Sequence, residues 1–440
     1  MHRLSRLAEK VFVVIALFFS TTALIGILLE KEDAVDLTPD PYTPILFMGV
    51  YLVTSLLIVQ RWKRFVRVAQ KDIWIWLIIG IALASALWTV APDITPRRSV
   101  LLLGTSGFGV YLATRYSLRE QLQLLAWAFG LIILLSFVFA IALPSYGLMT
   151  FQEGGAHEGA WRGIITHKNT LGRLMNMSAI VFLLLSFENS GLERKYRWVA
   201  WLGFILSAAL IILSTSKTAI VVLITLTIIL PLYRTWRNNY NQIVPITIAV
   251  ILMLGSAATL VLDNLPVIAT ALGRDLTLTG RTEIWTHMLE LISERPLFGY
   301  GFNAVWQDWD NPVTAYLWRT LEWPCPYGHN GFMDLLAELG ISGLIVFLIS
   351  YVAAWIKGVV WLRTTRTVEG LWPLIYLSFF LIYNITESTL VTTNSIFWIL
   401  YVSTIFSMSV EFEQVKLYKY ASPSMDEEWI EIEASNKQDF

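Results

Sequence analysis

The chain has a single cysteine, Cys325, in 440 residues. That excludes a disulfide within the chain and any metal cluster built on cysteines. Histidine is nearly as scarce, with five in all, and no group of His, Cys or Glu has metal-ligand spacing. The nearest approach is "DWD" at 308–310, but two loop aspartates around a tryptophan are a common pattern. Neither a metal nor a cofactor is expected. Charge is sparse as well. Asp, Glu, Lys and Arg make up 15% of the chain, and the net charge is −1. Without a basic excess there is no electrostatic footprint for nucleic acid. What is abundant is apolar: 56% of residues are hydrophobic and the mean hydropathy is +0.60. A soluble domain seldom passes half apolar, so the composition points to a polytopic membrane protein.

About twelve apolar runs approach the length needed to span a bilayer, roughly 20 residues. They lie near 11–29, 42–60, 73–90, 98–114, 122–143, 169–187, 198–214, 218–233, 243–262, 335–356, 371–387 and 393–410. The start, "MHRLSRLAEK", is basic like a signal peptide, but its apolar run is too long and lacks a small-residue cleavage site. It reads as a retained first span. Basic residues crowd alternate connections: "RWKRFVRVAQK" (61–71), "RYSLRE" (115–120), "ERKYR" (193–197), "YRTWR" (233–237) and "KGVVWLRTTR" (357–366). The positive-inside rule then puts both termini in the cytoplasm. Four regions follow: spans one to nine over 1–262, a large exported loop over 263–334, spans ten to twelve over 335–410, and an acidic cytoplasmic tail over 411–440. The tail is expected to be disordered.

The exported side is poor in basic residues, so its cations stand out. Arg162, His167 and Lys168 precede "NTLGRLMNMS", which enters a span with Arg173 about one turn inside. A charge in a span is costly and marks a functional candidate, although an arginine near the interface can also snorkel. Lys217 lies in "LSTSKTAI" (213–220), between two closely spaced runs, as a ligand contact or an interfacial anchor.

In the long loop, Trp285, Met288, Leu289, Leu291 and Ile292 recur at spacings of three and four, the mark of an amphipathic helix. Thr282 or a neighbour is a candidate cap, and Arg281 stands at the helix start. A cation there opposes the helix dipole, and pairing with Glu283 or gripping a phosphate would explain it. Further on, "PYGHNGFMDLLAELGISGL" (326–344) opens another helix, with Asn330 as cap and with Gly340 and Gly343 allowing a bend. His329 therefore sits beside a helix N-terminus, which disfavours imidazolium. A neutral ring there can accept a proton, or it can merely complete the cap. Trp161, Trp306, Trp309, Tyr316, Trp318 and Trp323 could stack on sugar faces or form an interfacial belt.

Several strings, taken in order, resemble the O-antigen ligase and polysaccharide polymerase superfamily: "WTVAPDITPRRS" (88–99), "RGIITHKNTLG" (162–172), "LSTSKTA" (213–219), "GRTEIW" (280–285), "RPLFGYGFNAVW" (295–306) and "HNGFMDLLAELGISGL" (329–344). "HKNTLG" and "GYGFNAVW" look most like the branch that polymerises exopolysaccharide repeat units. The resemblance implies an all-α, GT-C-like fold of about twelve spans, with one large periplasmic loop before the tenth. It implies an inverting glycosyltransferase of the inner membrane that takes its glycan from undecaprenyl diphosphate. The acceptor would be the next lipid-linked repeat for a polymerase, or lipid A core for a ligase. Membrane lipids, and polysaccharide export or chain-length control proteins, are candidate partners. Matched motif by motif, Arg162 and Arg281 would hold the diphosphate and His329 would act as base. His167, Lys168 and Lys217 would share the phosphate contacts. The rival from another class is a transporter, which would gather its polar groups at the membrane midplane.

Overall fold

The computed structural model describes residues 2–25, 42–150, 157–187, 193–238, 281–365 and 367–421. The ninth expected span, the start of the long loop and the tail beyond 421 lie outside them. Among the described residues there is no strand, only an isolated bridge between Leu148 and Trp161. The principal helices are α1 (His2–Phe19), α2 (Tyr42–Gln60), α3 (Trp62–Ala69), α4 (Ile73–Ala84), α5 (Thr95–Arg115), α6 (Leu118–Ala142) and α7 (Lys168–Ser186). They continue with α8 (Arg197–Leu213), α9 (Lys217–Asn238), α10 (Arg281–Glu294), α11 (Pro312–Leu321), α12 (Gly331–Thr364), α13 (Trp372–Asn384) and α14 (Ile396–Ala421). Among the described residues, seven stretches are long and apolar enough to cross a membrane, and α3 with α4 makes an eighth only as a pair bent by 90°. The fold is that of an all-α polytopic membrane protein.

Local chemistry sets several helix starts. Ser117 and Glu120 form a reciprocal capping box on α6, and the Asp72 carboxylate accepts from Trp74 N and Ile75 N to open α4. Lipid gives little hydrophobic drive for helices to associate, so close contact has to do that work. Gly109 on α5 shows it: a Cβ there would lie 2.9 Å from the Ile399 carbonyl oxygen on α14. The first helix departs from the apolar run 11–29. It starts among polar residues at His2 and ends at Phe19. The Ser20 hydroxyl turns back onto the Ala16 carbonyl, and Ser20 O and Leu24 N bond to Ile396 N and Ile164 O instead of continuing the helix. At the other terminus α14 runs on to Ala421, past the expected limit of 410. Its polar part is anchored, with Glu411 accepting from Leu118 N and Glu413 pairing with Lys71, both at 2.6 Å.

The polar contacts separate the molecule into two ends. One end joins Arg61 and Arg115 to Glu9, Arg119 to Glu369, Lys357 to Asp72 and Arg237 to the Thr367 carbonyl. Four of the basic connections read from the sequence meet here. The opposite end holds the starts of α7 and α12, the turn between α8 and α9, and the residues around α10 and α11.

At that opposite end α12 is broken. Gly340 takes φ 64°, ψ −169°, a conformation nearly closed to other residues. An intact helix would bond Ile341 N to Ala337 O and Ser342 N to Glu338 O. The segment 296–301 supplies replacements for all four groups. Tyr300 N donates to Ala337 O and Gly301 N to Glu338 O, each at 2.9 Å. Pro296 O and Leu297 O accept from Ile341 N and Ser342 N at 2.8 and 3.2 Å. Irregular backbone near a bilayer is tolerated only when satisfied in this way. Gly340→Ala should therefore cost at least about 1–3 kcal/mol from backbone conformation alone, before the clash of the new Cβ with Leu297 and Phe298. Melting of the purified protein checks this, with Gly80→Ala, which meets nothing within 4 Å, as the unaffected reference.

The loop before α12 has its own apolar core. Ile284, Met288, Leu291 and Ile292 of α10 pack with Val313, Leu317, Trp318 and Leu321 of α11. Leu289, expected on the buried face, is 54% exposed. Ile284 replaces it, because the buried stripe runs at i, i+4, i+7 and i+8 from that residue and Leu289 falls outside it.

Candidate active site

Three elements converge at the broken end of α12. The first is the approach to α12, residues 322–330. Each of its turns is tied down: Trp318 Nε1 donates to Cys325 O at 2.7 Å, Trp285 Nε1 to Gly328 O at 2.9 Å, and Gly328 N to Asp334 Oδ1 at 3.1 Å. Asn330 caps the helix as expected, accepting from Phe332 N and Met333 N. His329 is left in a left-handed conformation, φ 49°, with its ring 4.2 Å from that of Tyr327. Its Nδ1 is buried and has no hydrogen-bond partner. Burial pushes this imidazole down to about 4; nearby Glu387 opposes the fall, and Arg281, His167 and Arg173 add to it. The ring is neutral at physiological pH and carries an unused polar atom.

The second element is the turn after α13, which presents Glu387. Its carbonyl accepts from Gly331 N at 3.1 Å, so this turn is seated on the first residue of α12. The Glu387 side chain is 7% exposed. It accepts from Tyr327 OH at 3.1 Å and lies 3.5 Å from Arg281 and 3.9 Å from Arg173. Next to it, Ser388 donates to Asp334, which also accepts from Trp306 Nε1 at 2.7 Å. Asp334 thus fastens the His329 loop to the Glu387 turn.

The third element is the pair of cation-bearing helix starts. Arg281 is the first residue of α10 and pairs with Glu387; Thr282, the named cap candidate, lies inside the helix instead of before it. Arg173, in the first turns of α7, lies 4.8 Å from the Phe397 ring centroid, and its Nε is buried without a partner. Two guanidiniums share one carboxylate, so the cluster has positive charge to spare in a place where burial makes charge expensive.

Of the remaining candidates, His167 lies within electrostatic reach of Glu387, Lys168 and Arg162. His167 caps α7, its Nδ1 accepting from Asn169 N at 3.2 Å, and burial lowers its pKa. Only its Nε2–H is left for a ligand. Lys168 is buried and donates to Thr215 Oγ1 at 3.1 Å, which ties α7 to the turn where exposed Lys217 begins α9. Arg162 donates to Tyr146 O at 2.8 Å and Ser145 O at 3.4 Å, so part of its guanidinium already holds a turn. Asp308 is used locally too, accepting from Asp310 N and Asn311 N. Trp318 and Trp306 are structural donors, whereas Trp309, Tyr316 and Trp323 keep 40% or more of their surface exposed. From the sequence, Arg173 is equally a functional candidate and a snorkelling residue, and nothing singles out Tyr327. The signal for Glu387 was available: it is a lone acid closing the apolar run 371–387, and charge in a span is a site marker by default.

The fold and this cluster define a membrane-embedded helical protein with a cationic, histidine-bearing site at one surface. Residues 202–348 match the family model described as O-antigen ligase, a stretch that holds Lys217, Arg281 and His329. The chain is also 24% identical over 292 residues to the exopolysaccharide production protein ExoQ of Rhizobium meliloti (strain 1021), and that match covers 64% of each chain. Together these matches bear out the resemblance to the O-antigen ligase and polysaccharide polymerase superfamily.

Proposed function

We propose that the protein is a membrane glycosyltransferase that joins repeat units carried on undecaprenyl diphosphate into a polysaccharide. One observation carries this reading: an unpartnered, neutral His329 Nδ1 sits beside two arginines that share a single carboxylate. A lipid diphosphate needs cations where its leaving group gathers charge, and guanidiniums meet phosphate oxygens at two points. The acceptor hydroxyl needs a base. As the acceptor oxygen bonds to the anomeric carbon, its proton passes to His329 and the carbon–phosphate-oxygen bond breaks. Displacement in one step inverts the anomeric carbon. Glu387 holds Arg281 and Arg173 in orientation, and Arg162, His167, Lys168 and Lys217 supply further phosphate contacts.

The polymerase reading is preferred to a ligase acting on lipid A core because the similar protein is named for exopolysaccharide production. Purified protein given a synthetic undecaprenyl-diphosphate repeat unit should produce a ladder of longer glycans. Transfer only on addition of lipid A core would make it a ligase, and no transfer to either acceptor would remove the glycosyltransferase reading. A transporter is disfavoured because the cations lie at helix starts at one end, not at mid-membrane.

The site should face the periplasm across the inner membrane, since the basic connections gather at the other end. A cysteine placed at exposed Asp310 should react with an impermeant reagent in intact spheroplasts, while native Cys325, fully buried, stays unlabelled. Labelling of Asp310→Cys only after the membrane is opened would put the site on the wrong face for this donor.

A further inference from the structure

Two adjoining cavities lie at the end of the molecule opposite His329. One, of about 550 Å³, is bounded by Arg6, Lys10, Arg61, Arg64 and Arg115, with Glu9 and Glu120. The other, of about 430 Å³, is an apolar groove between α1 and α6, walled by Leu7, Val11 and Ile15 on one side and Leu124, Trp127 and Leu131 on the other. Lys10 and Glu120 line both, so the two are continuous.

The charge in the basin does not cancel. Glu9 is buried, and its carboxylate is taken by Arg61 at 3.1 Å, Arg115 at 3.2 Å and the Tyr111 hydroxyl at 2.6 Å. Glu120 is turned to the cap of α6, where it accepts from Ser117 N at 3.0 Å. Arg6, Lys10 and Arg64 line the same basin and form no ion pair among the described residues. The groove beside them is walled by residues that none of the described helices covers: Trp127 is 73% exposed and Leu7 60%.

We propose that this composite cavity is a binding site for one anionic phospholipid of the surrounding leaflet, with its phosphate in the basin and an acyl chain in the groove. The charge excess calls for an anion, and continuity with an apolar slot calls for an anion that carries a chain. Clusters of Lys and Arg at a membrane surface recognise acidic lipids in this way. The site is separate from the proposed reaction and does not depend on it.

The test is native mass spectrometry of the full chain in detergent, titrated with phosphatidylglycerol and, separately, phosphatidylcholine. Wild-type protein should hold a single phosphatidylglycerol in preference to phosphatidylcholine. Arg6→Ala/Lys10→Ala/Arg64→Ala should weaken binding on the order of 100-fold, at about 1 kcal/mol per basic residue. Arg6→Lys/Arg64→Lys should retain it. Val11→Trp, which fills the groove from a half-exposed position, should weaken it with every charge in place. Arg194→Ala/Lys195→Ala, at another basic turn, should not change it. Three results would overturn the proposal: no phosphatidylglycerol preference in the wild type, an equal loss in the Arg194/Lys195 variant, or displacement by millimolar inorganic phosphate together with indifference to Val11→Trp. The last would make the basin a site for free phosphate.

Discussion

His329→Ala should slow glycan transfer by on the order of 10²–10⁴-fold, the usual contribution of a positioned acid or base, while binding of the lipid-linked donor persists. The ring's environment sets the pH dependence. With its pKa pushed down to about 4, His329 is neutral and able to accept a proton at all higher pH, and the active form is lost as pH falls through about 4. A cationic phosphate ligand would behave in the opposite sense, losing activity as pH rises through its pKa. His329→Lys separates the two roles, since lysine keeps a cation but is a poor base at neutral pH. Near-normal transfer by His329→Lys in a purified assay would remove the base assignment and make the residue part of the phosphate clamp.

Arg281→Ala should cost a further large factor, on the order of 10²–10³, as loss of a preorganised donor to a charged leaving group does. Arg281→Lys should recover only part, because lysine cannot make a planar two-point contact. Arg162→Ala should be milder, since its guanidinium already serves the Tyr146 and Ser145 carbonyls. Single-turnover rates with lipid-linked donor rank the three. Equal and full activity in Arg281→Ala would place the donor diphosphate away from Glu387. Wild-type rates in Arg281→Ala but not Arg162→Ala would move it toward the start of α7.

Much of the bundle could be read from hydropathy, because spanning helices are long, apolar and locally determined. The N-caps at Ser117, Asp72 and Asn330 are local too. The end of α1 was not legible: Ser20 O and Leu24 N are claimed by Ile396 and Ile164, far along the chain, and an apolar run carries no sign of such partners. The bend at Gly340 could be anticipated from the glycine. Its cause could not, because the contacts with 296–301 are made by backbone atoms common to every residue. In the site, His329 and Arg281 stood out as rare polar residues at helix starts. Glu387 was hidden for the same reason that it matters: its run was apolar enough to be taken as a span, and the one charge in it was averaged away.

The repair of the α12 break also bears on how the protein is made. Residues 296–301 precede Gly331–Thr364 in the chain, so they leave the ribosome first. When the interrupted helix arrives, the segment that will take its four unpaired backbone groups has already been synthesised. A span with an open seam is a hazard during insertion, because lipid offers no substitute hydrogen bonds. Reversing the order of these two segments, as a circular permutation would, leaves the seam unattended until its complement appears.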